Sequence, residues 1–416
     1  MIPSDRLAVW YEHRIVGELW RNATGAIGFR YAHDWLESDG FAISRSMPLE
    51  AQEFPPETGT AHRWFANLLP EGGVREQIAR DLKLPNSDFA LLQAIGGECA
   101  GALSILPIDQ LPSENYQYTL LSEEDLSQLI ARRGQIYALE SPDHRPRLSL
   151  AGAQNKCPVL LREHRYYLPQ GEAPSSHILK FELADYRNLP AYETFTTELA
   201  KAVGLPVVDI TLCGSGRNRF AQVTRYDRQL SNSGTVIRWH QEDFCQALDY
   251  GHEQKYQEHG GSSFAQCFRL VQSVSGEPAT DALNLIRWQI FNVLAGNSDG
   301  HAKNLSLLHL GRTETRLAPF YDLICTRALP RIDTRLAFDI GGNRDPVRIT
   351  PDNWDMLASA CGIQPRFLRV QLRVMRESLE AAIDPVLDAF SSLYGDYPAL
   401  QRIVRILRQQ LRRTQP

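Results

Sequence analysis

The chain lacks most of the features that assign a protein quickly. No apolar run approaches the roughly 20 residues of a membrane-spanning helix. The opening MIPSDRLAVWYEHR has no basic segment followed by an apolar one, so no signal peptide is expected. The seven cysteines (99, 157, 213, 245, 267, 325 and 361) are odd in number and scattered, with no CxxC pair. That argues against a disulfide framework or a zinc ribbon and points to a reducing cytoplasm. Charge of one sign is also missing. Against 49 Asp and Glu stand 44 Lys and Arg, a net −5, so no global field draws the protein to nucleic acid or membrane. There is no G-x-x-x-x-G-K-[ST], which disfavours Walker-type nucleotide hydrolases, and no G-x-G-x-x-G. No repeat of fixed period is present.

What is there is ordinary globular material, 43% hydrophobic and 22% charged, in 416 residues. That length suffices for two or three domains with large cores. Residues 7–50 alternate short apolar runs with turn signals and predict small antiparallel strands. HRWFANLLPEGGVREQIARDL (62–82) has helical spacing interrupted by Pro70 and Gly72-Gly73. DFALLQAIG predicts a short helix and GALSILP a strand, and the polar IDQLPSENYQ marks a boundary. SEEDLSQLIARR predicts a helix capped by Ser122 with an acidic first turn. Residues 147–161 predict strand, small-residue turn, strand; 175–183 a strand with Lys180 at its centre; 191–204 a helix closed by Gly204; 207–212 and 220–228 strands. From 241 onward helices are expected, among them 280–295 with Leu283, Ile286, Ile290, Val293 and Leu294 on one stripe. The class is α+β, a strand-rich lobe followed by a helix-rich one. The expected divisions are 1–110, 111–235 and 236–416.

Four polar groups crowd into NSDGHAKN (297–304), between a long helix and a strand. Asp299 and Asn304 show the D-x-x-x-x-N spacing of phosphoryl-transfer loops. In such loops the Asp faces the acceptor hydroxyl, and the Asn, one loop turn later, reaches a Mg²⁺ on the phosphates. Eighteen residues on, after the hairpin pattern LSLLHLGRTETRLAPFYD, Asp322 stands where a second metal-binding carboxylate is needed; a helix N-cap is the alternative. Lys180, amid Ile178, Leu179 and Phe181, fits an inner-strand phosphate lysine; the alternative is snorkelling from an edge strand. Glu193 either pairs with it or is an exposed helix residue. SLAGAQNK (149–156) offers a phosphate cradle in Ala151, Gly152, Ala153, Gln154 and Lys156, or else a plain hairpin. RYDR (225–228) is equally a nucleotide-contacting hinge or a salt-bridge cluster. His301 reads as a loop residue that braces the aspartate or contacts phosphate. Arg402, Arg405, Arg408 and Arg412 recur at helical spacing and read as a solvated face.

Taken together, NSDGHAKN, LAPFYDL, RLSLAGAQNK, HILKFEL, RYDR, HQEDFCQAL and QKYQEHGG resemble the HipA-type serine/threonine kinases, toxins of bacterial HipB–HipA pairs. VGELW, FANLLPEGG and IGGECAGAL extend the resemblance to the family's N-terminal subdomain. The resemblance implies a two-lobed protein-kinase-like fold with ATP and Mg²⁺ in the cleft. It implies Asp299 as catalytic base, Asn304 and Asp322 on the metal, and Lys180 on the nucleotide phosphates beneath the SLAGAQNK loop. Thr224 and Tyr226 fall at the hinge. Thr224 departs from the acidic residue expected there, so purine contacts are expected through the main chain. Ser149 matches a serine that is autophosphorylated in the family, displacing the loop. The implied partners are a small HipB-like DNA-binding antitoxin, with DNA reached through it, and a protein substrate such as an aminoacyl-tRNA synthetase. Two other classes stay open: a catalytically weak regulatory component, and a small-molecule or lipid kinase.

Overall fold

The computed structural model describes residues 5–136, 147–152, 154, 156–216, 218–231, 234–311 and 314–414. The candidate cradle residue Ala153 lies outside the described residues. The chain forms two compact units. The first comprises Met1–Phe181, Val223–His252 and Leu307–Glu314; the second comprises Glu182–Gln222, Glu253–Ser306 and Thr315–Pro416.

The first unit is rich in strands. The alternating runs near the start build an antiparallel sheet in the order Glu53–Phe54, Ile27–Tyr31, Arg14–Arg21, Arg6–Tyr11, Leu103–Pro107. Leu7, Val9, Leu19, Ile27, Phe29 and Ile105 are buried, and Ala8, Trp10 and Leu106 form a second buried cluster, so the central strands are covered on both faces. The interrupted helical pattern becomes two helices, Thr60–Ala66 and Gly72–Asp81. Between them Pro70 offers no amide hydrogen and Gly72 takes a left-handed φ of 53°. Ser122 caps the helix Glu123–Ala131 in a reciprocal box with Asp125. A second group of antiparallel strands runs Tyr118–Leu120, Arg165–Pro169, Lys156–Arg162, His177–Lys180.

Several expected boundaries move. Residues 147–161 are not strand, turn, strand. Among the described residues only Lys156–Arg162 joins a ladder, whereas Leu148 and Gly152 make single parallel bridges to Glu98 and Pro70. Distant backbone partners, not a local hairpin, satisfy that stretch. The strand expected at 220–228 ends at Thr224, because Arg225 and Asp227 turn inward to pair with each other. HQED, placed in the helical region, is a strand, His240–Asp243.

The second unit centres on the helix Pro278–Ala295, packed by Phe264–Val274, Pro365–Tyr394 and Leu400–Arg413. Leu285, Ile286, Trp288, Ile290, Phe291, Val293 and Leu294 are all buried, and Leu283 is only half-buried. The helix is thus apolar on more than one stripe because neighbours cover most of its circumference. Arg402, Arg405, Arg408 and Arg412 are exposed, and Arg408 pairs with Asp384, which is the solvated face expected. No helix among the described residues is long and apolar enough to cross a membrane.

Candidate active site

The helix Pro278–Ala295 ends at Gly296, whose φ of 72° turns the chain into NSDGHAKN. That loop is fastened from several sides. Asn297 donates through Nδ2 to Asn292 Oδ1 at 3.0 Å, and its own Oδ1 accepts from the Asp299 amide at 3.1 Å. Ser298 donates its amide to Thr326 Oγ1 at 2.7 Å and its hydroxyl to the Thr334 carbonyl at 3.0 Å. Asn297, Ser298, His301, Lys303 and Asn304 are each at most 8% exposed. The Asp299 side chain is 48% exposed. A loop of buried polar residues therefore carries one carboxylate outward.

That carboxylate has company. The Tyr256 hydroxyl donates to Asp299 Oδ1, and His301 Nε2 lies 3.9 Å from the same oxygen. The Tyr256 and His301 rings meet edge to face at 5.1 Å. His301 thus stands beside the Asp299 carboxylate. Tyr256 lies in QKYQEHGG, and nothing local in the sequence links it to a loop 43 residues away.

The loop also sits tightly on the helix end. A Cβ at Gly300 would lie 2.6 Å from Asn292 Nδ2 and 3.3 Å from the Trp288 ring. Gly300→Ala is therefore expected to lower stability by about 1–3 kcal/mol and to reduce activity through the displaced loop. Gly73→Ala, at a helical glycine with open space around it, serves as the control. Thermal melts and initial rates of both variants test this. Equal behaviour of the two would show that the close approach at Gly300 has no consequence.

Asn304 donates through Nδ2 to the Asp299 carbonyl at 2.8 Å, a bond that does not engage its amide oxygen. Beyond it the chain turns, with the Leu310 amide donating to the Glu314 carbonyl at 2.8 Å, and returns, with the Ala318 amide donating to the Ser306 carbonyl at 2.9 Å. The hairpin expected there is present. Tyr321 then reaches back, donating to the Lys303 carbonyl at 2.9 Å, with its oxygen 2.7 Å from Ser306 Oγ. Asp322 follows immediately, with a left-handed φ of 54°. No helix starts at Asp322; the next turn is Thr326–Ala328, flanked by Cys325, so the N-cap alternative does not apply. A non-glycine residue held left-handed stores strain of about 1–3 kcal/mol, and such residues cluster at functional sites. Asn304 and Asp322 both offer oxygen, the ligand class that Mg²⁺ takes.

The other candidates lie in the strand-rich unit. Lys180 is 3% exposed, so it does not snorkel to water. It stands directly opposite Lys156 in the register of the two strands, which puts both on one face. Lys156 Nζ donates to the Ala151 carbonyl at 2.9 Å, and Gln154 Nε2 donates to the Phe181 carbonyl at 2.7 Å. Gly152 has φ 122°, and a Cβ there would meet Lys156 Nζ at 2.9 Å. Ser149 is 0% exposed and donates through Oγ to the Leu68 carbonyl at 2.8 Å. The Glu71 amide donates to the Gly152 carbonyl at 3.0 Å, and Arg147 donates to the Gln93 and Ile105 carbonyls at 2.6 and 3.2 Å. Residues 147–152 are thus pinned to the N-terminal segments by bonds to Leu68, Glu71 and Glu98. Glu193, on the helix Leu189–Ala202 of the second unit, is buried, so it is not the exposed helix residue.

RYDR resolves by alternation. Arg225, Asp227 and Arg228 are buried in a salt-bridge cluster with Glu98, whereas Thr224 and Tyr226 are half-buried. Tyr226 donates its hydroxyl to Gln241 Oε1. The strand end therefore leads into a buried structural cluster, while the two candidate hinge residues stay half-buried.

The chain matches the family model for the HipA N-terminal domain over residues 7–106 and that for the HipA-like C-terminal domain over residues 148–388. It is 37% identical over 405 residues to Y4mE of Sinorhizobium fredii, provisionally named a kinase, covering 94% of each chain. It is 30% identical over 349 residues to the serine/threonine-protein kinase toxin HipA of Shewanella oneidensis, covering 80% of this chain and 78% of that one. Among solved structures it resembles the Shewanella oneidensis HipA, HipB and operator DNA complex, with a TM-score of 0.84, 28% identity, and 98% and 96% of the two chains covered. The α+β division into a strand-rich and a helical unit, the loops it carries and these two matched domains agree, and the chain belongs to the HipA-like family of serine/threonine kinase toxins.

Proposed function

We propose that the chain transfers the γ-phosphoryl group of ATP to a serine or threonine hydroxyl of a protein, with Asp299 as the base. The observation that carries this is the Asp299 carboxylate, held out by Tyr256 from a loop whose other polar residues are buried, with Asn304 tied to its own main chain. The acceptor oxygen bonds to the γ-phosphorus while the bond to the β,γ-bridging oxygen breaks and ADP leaves. Asp299 orients the hydroxyl and takes its proton. Asn304 and Asp322 would hold Mg²⁺, which supplies charge neutralisation on the phosphates. Lys156, Lys180, Gln154 and the Ala151–Gly152 backbone would face those phosphates. Thr224 and Tyr226 would face the base, and His301 braces Asp299. The domain division at 1–110, 111–235 and 236–416 belongs to the same reading, as does action in the cytoplasm. The toxin relative and its structure support a HipB-like antitoxin as partner, with operator DNA reached through it. A translation component such as an aminoacyl-tRNA synthetase is the substrate class we favour.

Ser149 supplies the off-switch. Seated, it is buried and donates to Leu68, so it takes up a phosphoryl group only after the loop leaves. Phosphate adds nearly two negative charges at neutral pH, which repel the nucleotide phosphates and oppose return. The expected result, by mass spectrometry after incubation with Mg·ATP, is phosphate on Ser149 of the active chain and none on an Asp299→Asn chain. ATP affinity should fall with modification. A chain phosphorylated at Ser149 that binds ATP and transfers phosphate normally would refute the switch; no ATP-dependent phosphate on any protein would refute the kinase mechanism itself.

A further inference from the structure

Glu98 is wholly buried and makes two kinds of contact at once. Its main chain brackets the Ser149 segment. The Glu98 amide donates to the Arg147 carbonyl at 2.7 Å, and the Glu98 carbonyl accepts from the Ser149 amide at 2.9 Å. Its carboxylate is held from the opposite direction. Arg225 Nη1 donates to both oxygens at 2.8 and 2.9 Å, Arg228 Nη2 donates to Oε1 at 2.8 Å, and Ser175 donates its amide and hydroxyl at 3.3 Å.

The two arginines also share Asp227 at 2.8 Å each, and both donate to the Cys99 carbonyl. Two guanidiniums bond two carboxylates, and the buried Arg238 adds a third positive charge nearby. Burial alone would push the Glu98 and Asp227 carboxyls up, but the facing guanidiniums hold both below the usual carboxylate range. Buried charges paired in this way resist displacement, since moving one orphans the others. The segment that supplies Arg225 and Arg228 also carries the half-buried Thr224 and Tyr226.

We infer that Glu98 is a positioning residue: clamped by Arg225 and Arg228, it presents the main-chain groups that hold the Ser149 loop seated, and so ties the 224–228 segment to the phosphate-facing loop. The inference rests on reading residues 149–156 as that loop. Glu98 itself touches no substrate. When the loop leaves, the two main-chain bonds break while the charge cluster stays whole, so the rigidity of the cluster sets how readily Ser149 departs.

The test is Glu98→Gln in the full chain. Gln keeps the shape and leaves Arg225 and Arg228 with one carboxylate between them. Hydrogen exchange of peptides over 147–152 should quicken at least tenfold, while the helix Pro278–Ala295 keeps its protection. The KM for ATP should rise severalfold with kcat little changed, and Ser149 should be phosphorylated faster than in the wild type. Where the single variant fails to fold, Glu98→Gln with Arg228→Gln removes one charge of each sign and should show the same local quickening. Unchanged exchange at 147–152 overturns the inference. So does a rise spread evenly through the strand-rich unit, which is what a merely structural role predicts. The exchange comparison needs no catalysis. A wild-type chain that leaves Ser149 unmodified thus refutes the switch and still leaves the placement of Glu98 to be decided by exchange.

Discussion

Asp299→Asn is expected to lower phosphate transfer by about 10²–10⁴-fold, the range that a positioned general base contributes, while leaving nucleotide binding nearly intact. The geometry makes this a clean substitution. Asparagine has the size of aspartate, and its Oδ1 still accepts from the Tyr256 hydroxyl. The Asn304 side chain bonds to the carbonyl of residue 299, not to its side chain, so the Asn304 amide keeps its orientation. What is lost is the ability to accept a proton. Single-turnover rates with a protein acceptor, beside ATP titration of the same preparation, measure the two effects separately. Near-normal transfer would exclude Asp299 as the base. A parallel collapse of ATP binding would make the residue structural.

Removing Asp322 should act on the metal. Asp322→Ala is expected to weaken Mg·ATP binding by more than about tenfold, or ~1.4 kcal/mol, with adenosine binding affected far less. Alanine is also less content than aspartate with the left-handed φ of 54° at this position. Asp322→Asn is therefore the companion variant, because asparagine tolerates that backbone and removes only the charge. Calorimetry with Mg·ATP, with ATP in chelator and with adenosine separates the cases. If Ala and Asn variants both lose Mg·ATP and keep adenosine, the carboxylate is a metal ligand. Equal losses for all three ligands, or a loss confined to Ala, would assign Asp322 to backbone geometry instead.

Both substitutions concern residues legible in the linear sequence, and the reason is that their pattern is local. The D-x-x-x-x-N spacing lies within one loop, and Asp322 lies at the end of the hairpin that starts two residues beyond Asn304. The Ser122 cap and the long central helix were legible for the same reason. Capping and apolar periodicity act over three to eighteen residues, and tertiary contacts reinforced them here.

The remainder depended on partners far along the chain. Tyr256 meets Asp299 across 43 residues, and Arg225 meets Glu98 across 127. No spacing rule reaches so far. RYDR was ambiguous because an arginine or aspartate in a strand end is equally consistent with water, ligand or a buried partner; a carboxylate from the N-terminal segment decided it. The SLAGAQNK stretch looked like a hairpin because small residues favour turns. Its backbone bonds instead go to residues 71 and 98, since buried amides and carbonyls must be satisfied wherever the fold supplies partners. The sequence by itself determined the helix and hairpin that frame residues 297–322, the Ser122 cap, and the order of the polar residues along the loop. The tertiary structure alone decided which carboxylate is held outward, which lysines share a face and what keeps Ser149 in place, because each of these is set by burial and pairing between segments that local preference cannot bring together.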